Sequence, residues 1–240
     1  VQKAGTSSLF YSLNQHPQLK LSIKKEIHFF DLNYQKGLFW YKRHFPLIYQ
    51  RYLSGEASPY YFFHPLTAKR IYDLNPKIKL ILLLRNPVDR AYSHYNMEKE
   101  KGKEIVASFE EAISLENERI GQEASAFHKD PDYTSFAYQT FSYIARGYYF
   151  KQLNNWLKYF SLNQFLILKS EDFFENPHRE LMKVYHFLEI REIIPQSIEP
   201  YNQGKYPLMK PELRVRCQQY YYEDTKLLED LLGIQFHWFY

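Results

Sequence analysis

The chain has 240 residues, 45% of them hydrophobic, with 31 Lys and Arg against 27 Asp and Glu for a formal net charge of +4. That size supplies one substantial core, so a single domain over residues 1–240 is the simplest organisation. The small positive balance calls for no nucleic-acid partner, no apolar run reaches the ~18 residues that span a bilayer, and the one cysteine, Cys217, cannot form an internal disulfide.

The predicted elements alternate as a parallel α/β fold requires. Helical period covers Ser7–Asn14, and Gln18–Ser22 reads as a short strand ahead of Lys25–Asp31. Arg51–Gly55 is a second short strand candidate, followed by a helix over Thr67–Leu74, a buried strand over Leu80–Leu84 and a helix over Val88–Lys99. A helix over Phe109–Arg119 is expected to keep Glu110, Glu111, Glu116 and Glu118 on its wet side. From Gly121 to Ser142 the period fails, which predicts a long surface loop. Tyr148–Phe160 is again helical, Gln164–Lys169 a strand, His178–Leu188 a helix opened by Asn176-Pro177, and Glu212–Leu232 a final helix. There is no internal repeat or low-complexity tract.

Two stretches carry chemistry. Val1-Gln2-Lys3-Ala4-Gly5-Thr6-Ser7-Ser8 opens a helix with a glycine-containing, hydroxyl-rich turn. Backbone N–H groups at a helix start, with the helix dipole behind them, attract a phosphate or sulfate oxygen, and Lys3 adds a full charge. The same letters also suit an ordinary N-cap in which Thr6 or Ser7 accepts from an amide. Further on, the Leu80–Leu84 run empties into Arg85-Asn86-Pro87, at the carboxyl edge of a parallel strand where α/β sheets bind ligands. Arg85 can grip a phosphate with two prongs, and Ser93 on the following helix can offer its hydroxyl to the same oxygens. Two separate anion sites imply a ligand with two separated anionic groups.

Lys3-Ala4-Gly5-Thr6-Ser7-Ser8-Leu9 resembles the 5′-phosphosulfate loop of sulfotransferases that use 3′-phosphoadenosine 5′-phosphosulfate (PAPS). Leu84-Arg85-Asn86-Pro87 through Arg90-Ala91-Tyr92-Ser93 resembles their 3′-phosphate motif. Lys25-Glu26-Ile27-His28-Phe29-Phe30-Asp31 is most similar to the heparan-sulfate-type branch and its bacterial relatives. Gly147-Tyr148-Tyr149, Glu171-Asp172-Phe173 and Lys205-Tyr206-Pro207-Leu208-Met209 follow in family order. The resemblance implies a P-loop-like three-layer α/β fold, a central parallel sheet flanked by helices, with most of its first strand reduced here to Val1-Gln2.

It also implies the roles. Sulfuryl transfer must remove one acceptor proton and stabilise charge on the leaving phosphate. Glu26 matches the family's base, with His28 the alternative base, and His28 and Asp31 match positions that hold base and acceptor. In extended backbone Glu26 and His28 would share a face; each also has a plainer reading, Glu26 as an ion pair with Lys24 or Lys25 and His28 as a packed core residue. Lys3 is expected to bridge phosphate and sulfuryl group, with Lys25 adding positive potential. Lys3, Ala4, Gly5, Thr6, Ser7, Ser8, Arg85, Ser93, Gly204, Lys205 and Tyr206 are the expected nucleotide contacts.

Two departures from the family pattern bear on affinity and acceptor. Asn202-Gln203-Gly204-Lys205 has one cation where the heparan-type loop has two or three, and Ala57 replaces a lysine that grips sulfated sugar, which argues against a heparan-like polyanion. The expected acceptor is a glycan or small-molecule hydroxyl or amine; a lipid, polyketide or carrier-bound hydroxyl is the alternative, and the loop around 121–142 is the expected selector. A P-loop kinase or nucleotide sensor would need a glycine before its lysine in the opposite order and an acidic magnesium ligand. The chemistry needs no metal, and the spacing of His16, His28, His44, His64 and His94 matches no zinc pattern. Golgi members usually carry a disulfide, so the single cysteine favours a bacterial cytoplasmic setting, with a Golgi lumen the alternative if an anchor has been lost. Oligomeric state leaves no signal in the sequence.

Overall fold

The Leu80–Leu84 run, five consecutive apolar residues, forms strand β1 and pairs in parallel with β2, Phe165–Lys169, from Leu80 opposite Phe165 to Leu84 opposite Lys169. The computed structural model describes residues 1–47, 52–195, 197–198 and 204–239, and the chain divides into two units, Val1–Leu84 with Tyr159–Gln203 and Arg85–Lys158 with Gly204–Tyr240. Helices are numbered α1 to α13 in chain order.

The first unit holds both strands of the sheet and the helices α1 (Thr6–Leu13), α2 (Phe29–Leu32), α3 (Gly37–Lys42), α4 (Thr67–Leu74), α11 (Ser170–Glu175) and α12 (Pro177–Leu188). The Val1 nitrogen donates to the Leu83 carbonyl at 2.7 Å, tying the residues before α1 to β1. The two short strand candidates meet: Leu19 and Leu53 form a parallel bridge, with Lys20 N donating to Leu53 O at 2.9 Å and Ser22 N to Gly55 O at 3.0 Å. Arg51, at the start of the second candidate, lies outside the described residues. This pairing continues to Glu26 N on Ala57 O at 3.1 Å, so residues 53–57 fix where residue 26 emerges.

The second unit holds α5 (Pro87–Glu100), α6 (Phe109–Ser114), α7 (Glu116–Ile120), α8 (Glu123–Lys129), α9 (Phe136–Thr140), α10 (Tyr149–Leu157) and α13 (Pro211–Leu232). Its core joins Val88, Ala91 and Tyr95 of α5 to Phe109, Tyr143, Cys217 and Tyr221. A Cβ at Gly147 would overlap the Tyr221 ring, whose hydroxyl donates to Ile144 O at 3.2 Å, so only glycine admits α13 this closely.

Two expectations are corrected. The segment 121–142 is not one loop, because Phe127, 1% exposed, draws Tyr133 and Tyr138 onto its ring at 5.3 Å each and so folds α8 and α9. Aromatic burial here overrides a weak period. The helix expected over Phe109–Arg119 breaks at Leu115, and Glu116 is 5% exposed rather than wet. Its carboxyl accepts from Ile144 N at 2.6 Å and Ala145 N at 2.7 Å. Burial pushes its pKa up to about 7, against the pull of those bonds. Among the described residues no helix is long and apolar enough to cross a membrane, and no cluster of His, Cys, Asp and Glu is arranged to hold a metal ion.

Candidate active site

The amino-terminal loop folds through two left-handed residues, Lys3 at φ 67° and Gly5 at φ 87°. Gly5, not Thr6 or Ser7, is the N-cap of α1, so the capping position spends no side chain on the helix amides. The loop is anchored at the carboxyl end of the strand pair, where Ser170 Oγ, first residue after β2, donates to Ala4 O at 3.0 Å. Ala4 and Ser8 are buried, and Lys3, Gly5, Thr6 and Ser7 are half-exposed.

Gly5 cannot be replaced without strain. A Cβ there would sit 2.8 Å from Phe174 Cζ and 3.4 Å from Leu83 Cδ2, in a backbone region that already disfavours side chains. Gly5→Ala is expected to lose about 2 kcal/mol of stability, read as a lower Tm, together with nucleotide affinity. An unchanged Tm and affinity would show the loop to be unstrained.

The second cluster lies on residues 25–31 of the same unit. Glu26 (φ 61°) and His28 (φ 54°) are left-handed rather than extended, so the shared face expected from strand alternation is not how they meet. They meet because the backbone doubles back into α2, whose N-cap is His28. His28 Nδ1 lies 2.8 Å from Asp31 Oδ2, and its Nε2 lies 3.7 Å from Glu26 Oε2, an ion-pair distance rather than a hydrogen bond. Lys25 Nζ donates to Glu26 Oε1. Glu26 thus has the Lys25 pair that its plainer reading named, while His28 is 21% exposed and bridges two carboxylates instead of sinking into the core.

These neighbours divide the protons. Pairing with His28, opposed by partial burial and helped by Lys25, draws the Glu26 carboxyl down to about 2. Burial pulls the His28 imidazole down, but Asp31 and Glu26 together hold it up at about 9. At neutral pH Glu26 is therefore ionised and able to accept a proton, while His28 already carries one.

Sequence reasoning missed the group beneath this turn. Glu56 Oε2 accepts from Ser58 Oγ at 2.8 Å and Oε1 from the Tyr61 hydroxyl at 2.8 Å. Those oxygens in turn accept the amides of the turn, Ser58 Oγ from His28 N at 3.2 Å and Tyr61 Oη from Phe29 N at 2.8 Å. Burial raises the Glu56 pKa, and the two hydroxyl donors oppose the rise. Arg70 Nη1 donates to Phe30 O at 2.8 Å from the other side. The sequence signal for it is slight: Glu56 stands next to Ala57, the position that departs from the family's lysine.

In the second unit, Asn86 caps α5 by accepting from Val88 N at 3.0 Å and Asp89 N at 3.4 Å, and Pro87 stands in the first turn. The Arg85 carbonyl accepts from the Tyr149 hydroxyl at 2.9 Å, which gives the Gly147-Tyr148-Tyr149 motif a physical task. Ser93 is 3% exposed on α5. Tyr206 and Pro207 lie against the same helix: the Tyr206 ring meets Tyr92 edge-on at 5.4 Å, and the Tyr92 hydroxyl donates to Pro207 O at 3.0 Å; Gly204 and Lys205 precede them in the same unit. Asn202 and Gln203 lie outside the described residues. Arg90 is wholly buried and donates to Tyr143 O, so within this motif it serves the fold.

The family model described as a sulfotransferase domain matches residues 1–214. The membrane-associated sulfotransferase kil1 of Dictyostelium discoideum is 28% identical over 98% of this chain and 64% of its own length. Heparan sulfate glucosamine 3-O-sulfotransferase 5 of Mus musculus is 35% identical over 84% of this chain and 54% of its own length. The chain therefore spans between about half and two-thirds of the curated relatives it matches. The crystal structure of a sulfotransferase from Alicyclobacillus acidocaldarius superposes with a TM-score of 0.79 at 30% identity, covering 98% of this chain and 94% of that one.

Proposed function

The chain belongs to the sulfotransferase domain family, whose model runs through residues 1–214, and from that premise we propose that it moves a sulfuryl group from PAPS to a hydroxyl or amine of a carbohydrate acceptor. The α/β fold is that of the family. Because the family match runs unbroken through residues of both units, we read residues 1–240 as one domain.

The observation that carries the reading is the geometry of the 25–31 turn, where Lys25 donates to Glu26 and the His28 ring stands between Glu26 Oε2 at 3.7 Å and Asp31 Oδ2 at 2.8 Å. When bound, PAPS supplies the sulfuryl group and a phosphate leaving group. Glu26 takes the acceptor proton as the acceptor oxygen or nitrogen forms its bond to sulfur; that proton grows acidic as the lone pair is committed, so a weak but fully ionised base suffices. His28, charged and held on Asp31, keeps the Glu26 carboxylate in place. Lys3 places positive charge on the phosphate oxygen that inherits the electron pair when the sulfur–oxygen bond breaks, and Lys25 adds to that potential. Arg85, Ser93 and Lys205 take the 3′-phosphate. The turn at Lys3 to Ser8, capped by glycine, suits a phosphosulfate because its amides meet no capping side chain at residue 5.

Calorimetry with PAP, the desulfated product, against ATP with magnesium tests the reading. Saturable PAP binding without a magnesium requirement is expected. Tight binding of ATP with magnesium and none of PAP would overturn it in favour of a kinase-like module.

A further inference from the structure

The stretch just before the acidic turn and the helix α3 that follows it present a surface of unusual chemistry. Ile23, Phe39 and Leu47 are 77%, 78% and 94% exposed, large apolar side chains held in water. The same stretches carry exposed cations, Lys20, Lys24, Lys36, Lys42 and Arg43. Between residues 14 and 55 the only carboxylates are Glu26 and Asp31, and both are engaged with Lys25 or His28. No acidic side chain in that stretch is left over to neutralise the lysines.

The backbone holds these residues together. Ile23 N donates to His44 O at 2.8 Å, which joins the 20–25 stretch to the end of α3. Phe39, Lys42 and Arg43 stand at helical spacing on one side of that turn, and Arg43 N closes it on Phe39 O at 3.3 Å. Trp40, by contrast, turns inward, its ring 6.3 Å from buried Phe29 and 4.3 Å from His44. Phe39, unlike Trp40, leaves 78% of its surface in water.

We propose that this face docks on the headgroup layer of an anionic lipid bilayer, with Ile23, Phe39 and Leu47 entering the interface and the lysines meeting the lipid phosphates. Exposed cations together with exposed apolar side chains are the chemistry of interfacial membrane binding. An acidic polysaccharide would use the cations equally well, but it offers isoleucine, phenylalanine and leucine nothing in exchange for water; a hydrocarbon interface does. Docking in this way sets the Glu26 turn, which follows Lys24 directly, beside hydroxyls displayed on headgroups. The inference rests on the sulfotransferase reading only in that last consequence.

The test is vesicle flotation of the whole chain, with phosphatidylcholine alone and with phosphatidylcholine carrying about one-third phosphatidylserine. The expected result is flotation with the anionic vesicles, weak flotation with the neutral ones, and release by salt. Phe39→Asp and Ile23→Asp should each lower the bound fraction about tenfold at fixed lipid, and Lys42→Glu with Arg43→Glu should abolish it. Phe39→Ser serves as a milder variant, and PAP calorimetry on every variant should match the parent, which shows the fold intact. No flotation of the parent, or flotation of Phe39→Asp equal to the parent, overturns the proposal; so does capture on a sulfated polysaccharide in place of vesicles. If vesicles bind while PAP does not, docking stands and the transfer reading falls.

Discussion

Lys3→Ala is expected to lower kcat by about 10²–10³ while PAP affinity changes far less. The backbone makes this substitution unusually clean. Lys3 sits at φ 67°, and alanine carries the same Cβ as lysine, so the strain of the left-handed conformation is common to both. What the variant removes is the ammonium group. If that group acts on charge that grows in the transition state, its loss falls on kcat; if it only helps to hold the ground-state nucleotide, the loss falls on KM. Near-normal turnover in a single-turnover assay would remove Lys3 from the chemistry and leave the loop a binding feature alone.

Glu26→Gln is expected to cost about 10²–10⁴ in kcat, since the amide cannot take a proton. The pH profile of the parent separates Glu26 from His28 as base. With Glu26 lowered to about 2 and His28 raised to about 9, the profile should show no limb near the ordinary histidine value of 6.5, and activity should fall as pH rises through about 9 and His28 loses its charge. A histidine base would give the reverse, activity climbing toward pH 9, with Glu26→Gln nearly as active as the parent.

The same pair makes a stability prediction. His28 has its pKa raised from 6.5, so its contribution is complete below about 6.5 and lost as pH rises through about 9. Glu26 is lowered from 4.5, so its contribution is complete above about 4.5 and lost as pH falls toward about 2. Thermal melts should therefore show the alkaline loss shrink in Glu26→Gln, where His28 keeps Asp31 but loses its second carboxylate. An unchanged alkaline limb would mean that Glu26 does not face His28 in solution.

What was readable in the chain was whatever depends on near neighbours. The apolar run Leu80–Leu84, the Asn86-Pro87 and Asn176-Pro177 helix starts and the long final helix all appear where their letters place them, within a residue or two. These are determined by side-chain period and by caps that act over three or four residues. The motifs of the Lys3 loop and the Arg85 turn were legible for the same reason: each is a short contiguous string.

The tertiary structure alone decided which groups keep their protons and which surfaces are wet. Glu116 looked exposed by period and is buried, because amides 28 and 29 residues away need its oxygens. The segment after Gly121 looked like one loop and instead carries the short helices α8 and α9, because Phe127 gathers aromatic neighbours. Glu56 steadies His28 and Phe29 through Ser58 and Tyr61, across 30 and 32 residues of sequence. The sequence by itself determined the family and the elements with a strong local period; folding set Glu26 and His28 against the neighbours that draw the first pKa down and hold the second up. The reason is that ionisation answers to every charge and dipole within a few ångströms, and those neighbours are brought together by chain returns that no local pattern of residues encodes.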